Sequence, residues 1–241
     1  SVLARGLLFA CVMPCHRLVA LSICLGSATA QAAALVPLPA PPSSSLVSAF
    51  EPNRGQAKPE ILFLARGASP LAFTGQSILF SPVGNRQSLV ASNSSPEVRY
   101  SDPLPGVANS FVGSDARAWV SGIPRYATAR LVSVYTGIDM EYALGSDSTL
   151  TMKFILQAGV DPGVVVVDFP NLALLIAANG ALSSAGTVLA PRVRYKAPTA
   201  FQTSGSTKVP TSVSFELRST SQFGFHVDSR DSALPLQIEV A

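Results

Sequence analysis

Cysteine and histidine are nearly absent from most of this 241-residue chain. The three cysteines, Cys11, Cys15 and Cys24, all lie near the N-terminus, and His226 is the one histidine after His16. Beyond Cys24 the chain therefore has no thiol to form a disulfide, act as a nucleophile or bind a metal at the usual spacings. A catalytic triad or a zinc site would have to be built around His226 alone.

Charge is also scarce, since only 13% of the residues are charged, with 17 lysines and arginines against 14 aspartates and glutamates. Two of the basic residues, Arg5 and Arg17, lie in the N-terminal segment, so the rest of the chain is close to electrically neutral. The basic residues are scattered singly rather than in runs. We therefore expect no nucleic-acid partner.

The N-terminus has the pattern of a secretory signal. Read from Met13, a short basic segment ending at Arg17 precedes an apolar run from Leu18 to Leu25, and Ala28-Thr29-Ala30 provides an A-x-A cleavage site. This run is far shorter than the roughly 20 residues that span a bilayer. We expect residues 1–30 to be a signal peptide, the protein to be secreted or held at the bacterial cell surface, and membrane contact to be confined to the signal.

Two alternatives to a cleaved signal remain open. If translation begins upstream, Leu7 to Met13 lengthens the apolar stretch and the segment becomes an uncleaved anchor. A lipoprotein is less well supported, because the bulky Ile23 precedes Cys24 where lipoprotein signals have a small residue.

Residues 31–49 are rich in alanine, proline and serine, and the prolines favour an extended, disordered linker. From Phe50 to the end, short apolar runs alternate with glycine, proline and asparagine. This pattern predicts one all-β domain over 50–241, a two-sheet antiparallel β-sandwich of roughly a dozen short strands. The strand candidates are Ile61–Ala65, Ser77–Phe80, Gln87–Ala91, Glu97–Ser101, Ile138–Tyr142, Leu150–Leu156, Val164–Val167, Leu172–Ala177, Val193–Lys196, Val213–Leu217, Phe223–Val227 and Leu236–Val240.

The clearest alternation predicts a hairpin. Apolar and acidic residues alternate over Ile138–Tyr142, apolar residues recur at every second position of Leu150–Leu156, and Gly145 to Ser148 lies between them. We expect two antiparallel strands with one buried and one solvated face. The four valines Val164–Val167 predict a central strand covered on both faces.

Two sets of titratable residues are candidate catalytic or metal sites. His226 alternates with aromatic residues, so it is expected to face away from them as an ordinary strand residue. Asp139 and Glu141 lie two apart on one strand face, about 6.5 Å apart, a separation that suits inverting glycoside hydrolysis or a calcium ligand pair. A solvated strand face is the favoured interpretation of that pair.

The FEPNRGQ stretch places Glu51, Asn53, Arg54 and Gln56 close together, where they could bind a carboxylate or a sugar. A structural role is favoured, because Asn53 and Gly55 are turn residues and Arg54 can pair with Glu51 or cap backbone carbonyls.

Aromatic residues supply another candidate. Trp119, Tyr126 and Tyr135 could form a platform on which a sugar stacks, although large aromatics in a sandwich more often belong to the core. Asn93-Ser94-Ser95 matches a glycosylation sequon, which is a weak signal in a bacterial chain.

Several short motifs occur in a characteristic order. They are FEPNRGQ (Phe50–Gln56), LPGVANSFVGSD (Leu104–Asp115), W-x-S-G-I-P-R-Y (Trp119–Tyr126), VYTGID (Val134–Asp139), MKFILQAGVDP (Met152–Pro162), PTAFQ (Pro198–Gln202) and DSALPLQIEV (Asp231–Val240). In this order the chain resembles an uncharacterised bacterial all-β domain that precedes SBBP-type β-propeller repeats in large secreted or surface proteins. The chain departs from that domain at Ser110, where a second aromatic is usual, and at Lys153, where an acidic residue is frequent.

The resemblance implies an all-β module at the N-terminus of a secreted architecture, with no established activity to transfer. We therefore expect a non-enzymatic extracellular module for assembly, adhesion or spacing, with its own propeller repeats or other surface proteins as partners. A carbohydrate-binding module with glycan partners is the alternative, and a glycoside hydrolase is less well supported. The sequence predicts no catalytic, cofactor-binding or metal-ligating residue and no cofactor.

Overall fold

The computed structural model describes residues 48–67, 70–80, 85–145, 149–184 and 193–241. The predicted signal peptide and residues 31–47 of the predicted linker lie outside the described residues, as do 146–148 of the predicted hairpin turn. The first strand begins at Ala49, next to the Phe50 at which the sequence predicts the domain to start.

The described residues form eighteen strands and two single-turn 3₁₀ helices, Ala116–Ala118 and Pro162–Val164. The strands are β1 (Ala49–Pro52), β2 (Phe63–Arg66), β3 (Leu71–Phe73), β4 (Ser77–Phe80), β5 (Asn85–Leu89), β6 (Glu97–Ser110), β7 (Val120–Tyr135), β8 (Ile138–Leu144), β9 (Leu150–Leu156), β10 (Val167–Asp168), β11 (Leu174–Ile176), β12 (Leu182–Ser184), β13 (Arg194–Tyr195), β14 (Thr199–Ser204), β15 (Thr207–Thr211), β16 (Val213–Leu217), β17 (Gln222–Val227) and β18 (Leu236–Val240). No helix among the described residues has the length and apolar character needed to cross a lipid bilayer.

Most strands belong to one antiparallel sheet of 15 strands. Its hydrogen-bonded order is β15-β14-β18-β9-β8-β7-β1-β2-β3-β4-β5-β10-β17-β16, and β6 pairs with β7 outside this path. Strand β7 pairs with β8 from Thr128 to Tyr135 and with β1 at Tyr126, so the two branches of the sheet leave β7 at different points. A small second sheet contains β11, β12 and β13.

The two branches of the large sheet pack face to face. Phe154 of β9 lies 5.3 Å from Phe225 of β17 between ring centres, and Tyr142 of β8 lies 4.8 Å from Phe73 of β3. These side chains belong to one buried apolar cluster that also includes residues of the small sheet. The predicted all-β sandwich is therefore confirmed, and much of its second layer is the same sheet turned back upon the first.

The predicted hairpin is present as β8 and β9. The strands are antiparallel, with Met140 opposite Phe154 and Glu141 opposite Lys153. Met140 and Phe154 are fully buried, as the alternation predicts for the core face.

The prediction for the four valines is only partly right. Val164 ends the 3₁₀ helix Pro162–Val164 and is 46% exposed, and only Val167 belongs to strand β10. The preceding Asp161 causes this, because its carboxylate accepts a 2.9 Å hydrogen bond from the Gly163 N–H and starts a helical turn. Strand β10 is nevertheless interior to the sheet, with β5 and β17 as its neighbours.

Candidate functional site

The longest strands form an arm that extends beyond the two branches of the sheet. Strand β6 is antiparallel to β7 along its whole length, from Glu97 opposite Val132 to Ser110 opposite Val120. Between Val120 and Arg125, β7 has no hydrogen-bonded strand other than β6 among the described residues.

The loop at the end of this arm exposes large apolar side chains. Phe111 is 60% exposed, Val112 74% and Trp119 46%, and we call these three residues the arm tip. Val107 of β6 is also largely exposed, whereas Ile123 of β7 is fully buried. A cluster of exposed large apolar residues on one loop is characteristic of an interaction surface rather than of a surface that only meets water.

The arm tip has a defined local structure. The Trp119 Nε1–H donates a 3.2 Å hydrogen bond to the Gly113 carbonyl, and the Trp119 ring lies 5.4 Å from the Phe111 ring. Asp115 accepts a 3.0 Å hydrogen bond from the Arg117 N–H and pairs with its guanidinium at 3.1 Å. The side-chain hydrogen bond from Arg117 also lowers the pKa of the Asp115 carboxyl. These contacts hold the aromatic rings in place before any partner binds.

A family model covers the arm and most of the remaining domain. The family described as "Domain of unknown function (DUF7948)" matches residues 83–239, which is more than half of the chain. The chain belongs to DUF7948. No curated protein and no solved structure matches it.

The predicted aromatic platform is not assembled in this DUF7948 chain. Trp119 lies at the arm tip, Tyr126 stacks on Tyr100 at 5.0 Å, and the Tyr135 hydroxyl donates to the Val90 carbonyl at 3.0 Å. The three rings thus have three separate sets of contacts. The expectation of a core role is wrong for Trp119, because its position in a loop beyond β6 leaves the ring exposed.

Asp139 and Glu141 share the β8 face opposite the core, as predicted, but their side chains are less exposed to solvent than the alternation alone indicates. Asp139 pairs with Arg130 at 2.7 Å, and Glu141 pairs with Lys153 at 3.2 Å. Asp139 also accepts a 2.8 Å hydrogen bond from the Ser133 N–H. Each carboxylate is therefore neutralised by a cross-strand neighbour, which favours a structural role for the pair.

His226 lies on β17 with its side chain 62% exposed, facing away from the buried Phe223 and Phe225 as the sequence predicts. Its nearest acidic partner is Asp228, at 3.2 Å. In the part of the chain that the structure describes, no three histidine, cysteine or acidic side chains are grouped to hold a metal ion.

The FEPNRGQ stretch forms a closed turn. The Asn53 amide group donates to the carbonyls of Lys58 and Ile61 at 2.9 and 2.7 Å and accepts from the N–H groups of Gly55 and Ala57 at 3.0 and 3.2 Å. The expected structural role is thus seen for Asn53.

The partner expected for Glu51 is different in the structure. Glu51 is buried and pairs with Arg66 on β2 at 3.2 Å, because Leu64 lies opposite it and Arg66 follows on the same strand face. Arg54, the expected partner, is exposed.

Sequence reasoning named Trp119 but missed Phe111 and Val112, the other two residues of the arm tip. Their signal in the sequence is the run Ser110-Phe111-Val112-Gly113, where two large apolar residues lie next to a glycine, and in the structure that glycine has a positive φ of 79°. Apolar residues in a loop are a sign of exposure only once the loop is known to lie outside the core, and the long β6–β7 pairing was not predicted.

Proposed function

We propose that this DUF7948 domain is a non-enzymatic extracellular module that attaches a surface protein to a protein partner through its arm tip. One observation supports the proposal above others: Phe111, Val112 and Trp119 are exposed together on a loop whose conformation is held by internal hydrogen bonds. Binding by a pre-arranged surface avoids the entropic cost of ordering a flexible loop.

The composition of the arm tip favours a protein partner. Tryptophan and arginine are the residues most enriched where a few contacts dominate protein–protein affinity, and Trp119 lies close in sequence to Arg117. The Asp115–Arg117 pair leaves the tip without a net charge, whereas attraction to an anionic membrane surface depends on clustered basic residues. The chemistry of the tip therefore suits a largely apolar patch on another protein.

The resemblance to domains that precede SBBP-type repeats supports a specific setting for this contact. In that setting the partner is the propeller of the same surface protein, or a neighbouring copy of such a protein. The module then contributes assembly or adhesion rather than catalysis. Among the described residues, neither the groove beside Ser92 and Ser133 nor the groove beside Glu60 and Gln76 is lined by the pair of carboxylates that a glycosidase would need.

Site-specific photo-crosslinking in the producing bacterium tests this function. A photoreactive p-benzoylphenylalanine replaces Val112 at the arm tip and, as the matched control, the exposed His226 on β17. We expect discrete protein adducts from position 112 that are absent from position 226 and are lost when Trp119→Ala is added. Identical adducts at both positions, or no protein adduct at position 112, would refute the proposal.

Carbohydrate binding is the second candidate, and the exposed ring of Trp119 is the observation that favours it, because sugars stack on open aromatic faces. A glycan array with the full chain separates the two candidates. Reproducible glycan binding that Trp119→Ala abolishes would replace the protein partner with a glycan at the arm tip. If protein adducts form at position 112 and no glycan binds, the protein partner remains the supported candidate.

A further inference from the structure

A second surface feature lies away from the arm tip, where the turn after β5 faces the end of β7. The two segments enclose a groove of about 630 Å³, which is within the size range of small-molecule sites. Ser92 and Asn93 line it on one side, and Ser133 and Thr136 line it on the other.

The backbone around this groove is held in an unusual conformation. Ala91 and Ser133 both line it, and both have a φ of 56°, in the left-handed region that residues other than glycine rarely adopt. Ser133 lies at an irregularity in the β7–β8 pairing, between Leu131 and Tyr135. Bulges and strained residues of this kind concentrate beside functional sites.

Hydrogen bonds fix the two walls relative to each other. The Asn93 N–H donates to the Val134 carbonyl at 2.8 Å, and the Asn93 side chain donates to the Ser133 carbonyl at 3.3 Å. On the outer side, Asp139 accepts from the Ser133 N–H at 2.8 Å. The groove is thus built by hydrogen bonds between distant parts of the chain.

The lining is a mixture of polar and apolar groups. It combines serine and threonine hydroxyls with the side chains of Val160 and Val164, and among the residues that the structure describes it includes no lysine, arginine, aspartate or glutamate. Within the described residues no protein group is hydrogen-bonded to the hydroxyl of Ser133 or of Thr136, and both residues are exposed to solvent. The carboxylate bonded to the wall, that of Asp139, is already paired with Arg130.

We propose that this groove binds the neutral, hydroxyl-rich end of a glycan. The hydroxyls of Ser133 and Thr136 exchange hydrogen bonds with sugar hydroxyls, and Val160 and Val164 contact the apolar face of the ring. A charged ligand would be left without a counter-charge in this lining. The proposal concerns a site other than the arm tip and does not depend on the function assigned to the tip.

Nuclear magnetic resonance titration of the full chain tests the site. The probes are maltose, cellobiose, lactose and N,N′-diacetylchitobiose, with glucuronic acid and glucosamine as charged comparators. At up to about 20 mM sugar, above the roughly millimolar Kd of a shallow site, we expect at least one neutral disaccharide to shift the backbone amides of 91–93 and 133–136. The charged comparators leave those amides unchanged.

Two variants test the hydroxyl contacts. Ser133→Gly removes one hydroxyl and is compatible with the positive φ, and Thr136→Val removes the other with little change in shape. Each is expected to weaken binding about three- to tenfold, as the loss of one hydrogen bond does, while Ser214→Ala on the exposed face of β16 leaves it unchanged. If Ser133→Gly fails to fold, Thr136→Val carries the test.

Three results would overturn the groove proposal. They are the absence of shifts at these amides with every neutral disaccharide, equal binding by the two hydroxyl variants and the parent, and shifts confined to the arm tip. The last result would instead support the glycan candidate at Trp119, so failure at the groove and failure at the arm tip are distinguishable.

Discussion

Asn53 closes the loop between β1 and β2 with hydrogen bonds from both ends of its side-chain amide. Each of these replaces a bond to water and contributes about 1 kcal/mol, so Asn53→Ala is expected to lower the free energy of unfolding by about 2–3 kcal/mol. Arg54→Ala, at the exposed neighbouring position, is the matched control and is expected to stay within about 0.5 kcal/mol. Urea denaturation measures both, and equal effects would contradict the role assigned to Asn53.

For single residues, a role in local structure was easier to predict from sequence than the identity of a side chain's bonding partner. Asparagine and glycine in FEPNRGQ predict a turn because of their local conformational preferences, and the turn is present. The partner of Glu51 depends on the register of β1 against β2, which places Arg66 on the adjoining strand rather than Arg54 in the loop. A register between strands is set by tertiary packing, so the neighbouring sequence does not reveal it.

Gly137, in the turn between β7 and β8, packs closely against Val160, which follows β9 in the chain. Gly137 has a φ of +72°, and a Cβ added there would lie 2.7 Å from a Val160 methyl carbon. Gly205, in the turn between β14 and β15, has a φ of +59° but no atom within 4 Å of its added Cβ. We expect Gly205→Ala to cost about 1 kcal/mol from backbone strain alone and Gly137→Ala about 2–4 kcal/mol, because the clash is added to the strain.

Thermal unfolding of the two alanine variants checks this difference. A melting temperature lowered equally in both would mean that the connection tolerates the displacement of Val160 and that φ alone decides the cost. Rescue of Gly137→Ala by Val160→Ala is the second readout, since shortening the valine removes the clash while leaving the backbone strain.

Strands were predictable from sequence where one face is buried and the other is not. Strands β8 and β9 alternate cleanly because each has a single core face, and their pairing was predicted. Strand β7 was missed because it changes surroundings along its length, from the arm at Val120 to the packed core at Val134, so no single alternation describes it. The valines before β10 show the opposite error, because a capping carboxylate at Asp161 outweighed β propensity.

At the scale of the whole molecule, the sandwich depends on contacts between the two branches of the large sheet. Tyr142 of β8, on one branch, is buried against Phe73 of β3 on the other, and the partly buried Tyr195 of the small sheet packs against Phe223 of β17. Composition and alternation predicted two packed layers. They could not predict that one large sheet supplies most of both layers, because the order of strands in a sheet depends on which strands pair on either side of β7, and local sequence does not determine that.

Burial between the branches raises the pKa of the Tyr142 phenol well above its ordinary value. The unfolded chain therefore releases this proton near pH 10 while the folded chain retains it, so stability is unaffected below about pH 9 and falls as the pH rises beyond 10. Tyr142→Phe removes this contribution, and the loss of unfolding free energy between pH 10 and 11 should be smaller than in the parent by about 1 kcal/mol. Urea denaturation at pH 8, 10 and 11 measures it, with the half-buried Tyr126→Phe as control. Equal losses of unfolding free energy at alkaline pH in the parent and in Tyr142→Phe would mean that the phenol ionises in the folded chain, and would contradict its burial between the two branches.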